Sequence, residues 1–144
     1  MGVPAASPVS LRFGRIAIAA IVAEVIGVLA LVVLVSIFGP SGGFAAAQPF
    51  AERLGAWVGP ISGFLLCLLG GYWVARGAAP SYIQNGVGVG LAGAALDIGT
   101  AIALGAQFAP LLVFSNVGRV VGGTIGGWLA AGSSPWRPHR RGTP

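Results

Sequence analysis

Four long apolar runs limit what this chain can become: Ile16 to Phe38, Leu54 to Ala75, Ile83 to Leu104 and Pro110 to Ala131. Each is close to the roughly 20 residues that a helix needs to cross the hydrocarbon of a bilayer. Breakers separate them: Gly39-Pro40-Ser41-Gly42-Gly43, Gly77-Ala78-Ala79-Pro80-Ser81 and the short turn from Gly105 to Ala109. Of the 144 residues, 8% are charged, 56% are hydrophobic and 25 are Gly. A soluble domain carries about 25% charged residues and about 7% Gly. The balance excludes a soluble enzyme, a nucleic-acid binder and a disordered chain. The expected fold is all-α: one integral membrane bundle of four transmembrane helices within residues 1–131, then a basic, Pro-rich tail at 132–144 expected to be disordered.

Four spans return both termini to one side of the bilayer. Arg12, Arg15, Arg76, Arg137, Arg140 and Arg141 fall on that side, and Arg53 stands alone on the other, next to Glu52. The positive-inside rule makes the Arg-rich side cytoplasmic, with the inner (plasma) membrane of a bacterium as the expected location. Trp57 and Phe108 then lie near the outer boundary, and Tyr72, Trp73, Tyr82 and Trp136 near the inner one. Residues 40–53 read as an outer loop. Arg12, Arg15, the first apolar run and Ala45-Ala46-Ala47 imitate a signal peptide. The run is too long for one and Glu24 interrupts it, so a retained first span is expected.

Glycines recur at helical spacing. Gly55, Gly59, Gly63, Cys67 and Gly71 form one ridge in the second span, Gly86, Gly90 and Ala94 another in the third. The fourth span has two, Gly118-Gly122-Gly126-Ala130 and Arg119-Gly123-Gly127-Ala131. Such ridges let helix backbones approach closely in lipid, where no hydrophobic force draws helices together. Glycine-rich helix interfaces are therefore expected inside the bundle. The number of ridges also points to another membrane subunit or a second copy of this chain as a partner. Leu69-Gly70-Gly71-Tyr72-Trp73 is echoed by Ile125-Gly126-Gly127-Trp128-Leu129, a faint parallel repeat.

Glu24, Asp97 and Arg119 lie within the apolar runs, where each charge costs roughly 2.5–3.5 kcal/mol on insertion. Asp97 and Arg119 are equidistant from the turn joining the third and fourth spans, so they share a depth and are expected to form an ion pair. Gln84 and Asn85 read as interfacial. Glu24 shares its face with Ala20, Gly27 and Leu31 and points into the bundle, with no cation opposite it in the first hairpin. Two outcomes stay open. Glu24 stands without a counter-charge and keeps its proton, or it joins a three-member cluster that carries −1 and can accept one.

Ala23-Glu24-Val25-Ile26-Gly27, early in the first span of a small four-span chain, resembles the first helix of the small multidrug resistance transporters. The resemblance implies that Glu24 would bind protons and a cationic substrate in alternation. Elsewhere the chain departs from that family. It is longer, lacks the aromatic residues expected around the pocket, and adds Asp97 and Arg119.

One Cys and one His exclude a disulfide framework and a bis-His haem, and no Ser or Thr has a catalytic partner at useful spacing. No catalytic residue, metal or cofactor is therefore expected, and no nucleic acid; the bilayer is the first partner. The leading functional reading is a non-enzymatic accessory or interaction subunit, or a close-packed homo-oligomer. The alternative is a small proton-coupled transporter or ion pathway using Glu24, with Asp97 and Arg119 as counter-charge.

Overall fold

A computed structural model describes residues 9–103, 105 and 110–133. The tail expected at 132–144 lies outside the described residues from position 134 onward, as does Phe108. Four helices follow one another: α1 (Phe13–Phe38), α2 (Phe44–Ala75), α3 (Tyr82–Ala103) and α4 (Pro110–Ser133). Three of them are long and apolar enough to cross a membrane, which makes this a candidate membrane protein. α4 is as long as α3 but less apolar, because Ser115, Asn116, Arg119 and Thr124 interrupt it.

α2 begins ten residues before the run that suggested it, so residues 44–53 are helical and not the expected loop. Gly43 makes the turn that starts the helix; its φ of 84° is a left-handed conformation that glycine adopts without strain. Ala45, Ala46 and Ala47 then favour helix, and Gln48 donates to Glu52 one turn on, at 3.1 Å. The helix runs on through Pro49 and Pro60. At 32 residues it is about 48 Å long, well beyond a hydrocarbon core of about 30 Å.

The helices alternate in direction. The starts of α1 and α3 and the ends of α2 and α4 share one end of the bundle, which we call the near end. There Arg12 donates to Gly77 O and Arg15 to Trp73 O, and Ser133 lies 3.5 Å from the Tyr72 hydroxyl. α2 and α3 touch each other and both remaining helices, whereas α1 and α4 occupy opposite corners with no backbone contact.

The interior is built mostly of small residues with a few polar groups, while the exterior is large and apolar. Buried positions include Ala19, Ala20, Ala23, Cys67, Ser81, Asn85, Ser115, Asn116 and Arg119. Phe13, Phe38, Trp57, Ile102, Phe114 and Trp128 are all exposed. A soluble core reverses this order, so the pattern suits a chain solvated by lipid. α4 shows it most clearly. Its buried positions Ser115, Asn116, Arg119, Gly122, Gly123, Gly126, Gly127 and Ala130 make one helical stripe.

Candidate functional site: a buried charge triad

Glycine brings the helices into register around this site. A Cβ on Gly71 would lie 2.6 Å from Gly123 O, and one on Gly90 would lie 2.6 Å from Val120 Cα. Gly86, Gly122, Gly123 and Gly126 likewise face backbone atoms of a neighbouring helix too closely for any side chain. The two echoed segments meet in this contact, with Gly126 set against Leu68 O and Tyr72 N. These ridges are therefore filled from within one chain. Gly55 touches only Leu31, at 3.6 Å, while Gly59 and Gly118 have open space beside them.

At mid-depth Gly63 makes room for the Arg119 guanidinium and Gly93 for the Cys67 thiol. Cβ atoms on Gly63 and Gly93 would fall 3.1 Å from Arg119 Cζ and 3.1 Å from Cys67 Sγ respectively. Arg119, 5% exposed, reaches from α4 past Gly63 to carboxylates on two other helices. Its Nη1 donates to Glu24 Oε2 at 2.8 Å and its Nη2 to Asp97 Oδ1 at 2.9 Å. Asn116 Nδ2 donates to Asp97 Oδ2 at 2.9 Å and to Leu112 O at 2.8 Å. The Glu24–Arg119 bond spans the diagonal between the two helices whose backbones do not meet.

The carboxylates are held unequally. Asp97 accepts on both oxygens, from Arg119 and from Asn116, whereas Glu24 accepts a single hydrogen bond, from Arg119. Glu24 also lines a cavity of about 150 Å³ with Arg119, Asp97, Ser62, Gly59 and Leu31. Leu31 and Gly59 lie farther from the near end than Glu24 and Gly63, so the cavity extends from the triad toward the far end. Fully ionised, the triad carries a formal charge of −1. Two buried atoms in it are unpaired, Arg119 Nε and Asn116 Oδ1. Among the described residues, no three His, Cys, Asp or Glu side chains gather as a metal site would need.

Comparison with protein-family models, curated proteins and solved structures finds no match for this chain. The site must be read from its own chemistry.

Sequence reasoning missed two parts of the interior. Asn116, not expected beside Asp97, is its second donor. Asn85, expected at the interface, is fully buried. It accepts from Arg12 N at 2.9 Å and donates to Ser10 O at 2.8 Å and Ser81 O at 2.7 Å. The signal was present: Asn85, Val89, Gly93 and Asp97 recur every fourth residue and so share one face of α3.

Proposed function

We propose that this chain is a small, non-enzymatic, multi-pass membrane protein whose Glu24–Arg119–Asp97 triad takes up and releases one proton, coupling it to passage of a solute or ion. The observation that carries this reading is the sharing of one buried guanidinium by two carboxylates beside a cavity. An excess carboxylate in a low-dielectric setting is expensive, and one proton neutralises the cluster. Glu24, with one hydrogen bond against Asp97's two, is the group we assign to carry it. Asp97 then keeps Arg119 neutralised in both states.

In this proposal α4 is the fourth span. Its polar groups turn inward, Arg119 and Asn116 onto Asp97, so it enters lipid as a hairpin with α3. Arg12, Arg15 and Arg76 mark the near end as cytoplasmic, and a bacterial inner membrane remains the proposed location. Arg15 stacks 4.3 Å from the Trp73 ring, as an interfacial cation would.

Infrared difference spectra of the protein in nanodiscs test the assignment. A carboxylic-acid C=O band should titrate in the wild type and vanish in Glu24→Gln; in Asp97→Asn, where Glu24 is the one counter-charge left to Arg119, it should appear only at lower pH. Proton flux into proteoliposomes should be lost in Glu24→Gln. A Glu24→Gln protein that still takes up the proton refutes the reading.

A second reading, an accessory subunit or homo-oligomer, keeps support from the open faces at Gly59 and Gly118. The native mass after gentle extraction tests it. A stoichiometric foreign subunit or a fixed multiple of the chain mass supports it, and a monomer removes it.

A further inference from the structure

The near end of the bundle carries a non-helical segment that nothing in the triad explains. Residues 9–12 precede α1 and are tied by hydrogen bonds to Ser81 and Asn85. Val9, Leu11 and Phe13 are exposed, while the backbone of Ser10 and Arg12 turns to α3. Ser10 N donates to Ser81 Oγ at 3.0 Å, Arg12 N to Asn85 Oδ1, and Ser10 O accepts from Asn85 Nδ2. The Asn85 amide thus pairs with Ser10 and Arg12 as a neighbouring strand would, from a position with no solvent exposure.

Behind this clasp runs the face of α3 that leads to the triad: Asn85, Val89, Gly93, Asp97. Across it Ile16 and Ala19 of α1 pack against Val74 and Val89. Cys67 lies just beyond, against Gly93. The other three helices are locked at this end by glycine backbone contacts. α1 is not: its backbone does not approach that of α4, which it meets through the Glu24–Arg119 bond, and no residue of α1 beyond Ala23 is buried.

We propose that the segment 9–12 and the first turns of α1 form the near-end gate of the triad site, latched by the side chains of Asn85 and Ser81. Releasing the latch lets Ile16 and Ala19 leave Val74 and Val89, which opens the α3 face to the near side. Arg12 and Arg15 also tie this end of α1 to Gly77 O and Trp73 O, and Glu24–Arg119 fastens the helix deeper in, so the gate and the coupling carboxylate sit on one helix. The inference rests on the triad as the coupling site.

Cys67, the one cysteine of the chain, is a native reporter between gate and triad. The full-length protein is placed in oriented vesicles and treated with a membrane-impermeant methanethiosulfonate from one side at a time. Asn85→Ala removes two hydrogen bonds to the segment and should speed Cys67 labelling from the near side by roughly ten- to thirtyfold. Ser81→Ala, a smaller change less prone to unfold the protein, removes one bond and should give about a fivefold rise. Labelling from the far side should not change. Equal acceleration from both sides, or none in Ser81→Ala, overturns the gate. The two proposals fail separately. Sided labelling with proton uptake intact in Glu24→Gln keeps the gate and removes the proton reading. Unsided labelling with uptake lost in Glu24→Gln does the reverse.

Discussion

Replacing Arg119 by Leu should be far more damaging than removing either of its carboxylate partners. Both salt bridges run through this one side chain. Arg119→Leu leaves Glu24 and Asp97, with side chains 20% and 22% exposed, facing each other without a cation. Stranding a buried ion-pair partner costs about 3–5 kcal/mol. Asp97→Asn is a different event. Arg119 keeps Glu24, the new amide oxygen can still accept from Arg119 or Asn116, and the cluster becomes neutral. Exchanging a charge-assisted bond for a neutral one costs about 1–2 kcal/mol, and the lost net charge in lipid offsets part of it. Unfolding equilibria in bicelles, followed by Trp fluorescence, should therefore rank Arg119→Leu at least about 2 kcal/mol below Asp97→Asn. Combining Arg119→Leu with Glu24→Gln and Asp97→Asn restores neutrality and should recover most of the loss. A triple variant as unstable as Arg119→Leu alone, or an Arg119→Leu protein no weaker than Asp97→Asn, refutes the shared-cation argument.

Two further outcomes test the packing and the fourth span. Gly90→Ala drives a methyl into the backbone of Val120 and Arg119 and should cost about 2–3 kcal/mol in the same unfolding assay. Gly118→Ala meets open space and should be neutral, or stabilising by up to about 1 kcal/mol through helix propensity. Equal effects at the two sites would mean that the ridges do not set the helix separation. In a translocon assay with glycosylation tags, α4 alone should insert poorly, since Arg119 costs roughly 2.5–3.5 kcal/mol. With α3 ahead of it, insertion should rise, and Asp97→Leu in that pair should lower it again. Full insertion of isolated α4 would refute the hairpin.

The helical class was legible because lipid-length apolar runs and Gly-Pro breaks are strong local signals. Helix boundaries within breaks were less so. Residues 44–53 carry Pro49, Gln48, Glu52 and Arg53, which read as loop, yet three consecutive alanines and the Gly43 turn begin a helix there. The direction in which the glycine ridges point was not legible at all. A ridge at spacing four fits an internal neighbour and an external one equally well. In the structure the inner ridges are consumed by contacts such as Gly71 with Gly123 and Gly90 with Val120. That removes most of the case for a partner that their number alone suggested, and it is why the triad now carries the functional proposal.

Asp97 and Arg119 could be set side by side on paper because a short turn makes α3 and α4 sequence neighbours with matched depth. Glu24 had no such rule to place it. α1 and α4 are joined by no turn and share no backbone contact, and Glu24 lies on the near side of its helix midpoint while Asp97 lies on the far side of its own. The length of the Arg side chain closes that gap, and Gly63 leaves the space that its guanidinium fills. Gly63 was readable as a packing position, but the chemistry it admits was not. The bond of the guanidinium to Glu24 then ties α1 to α4. In the proposed cycle a proton on Glu24 weakens this tie between α1 and α4, the two helices whose backbones do not meet.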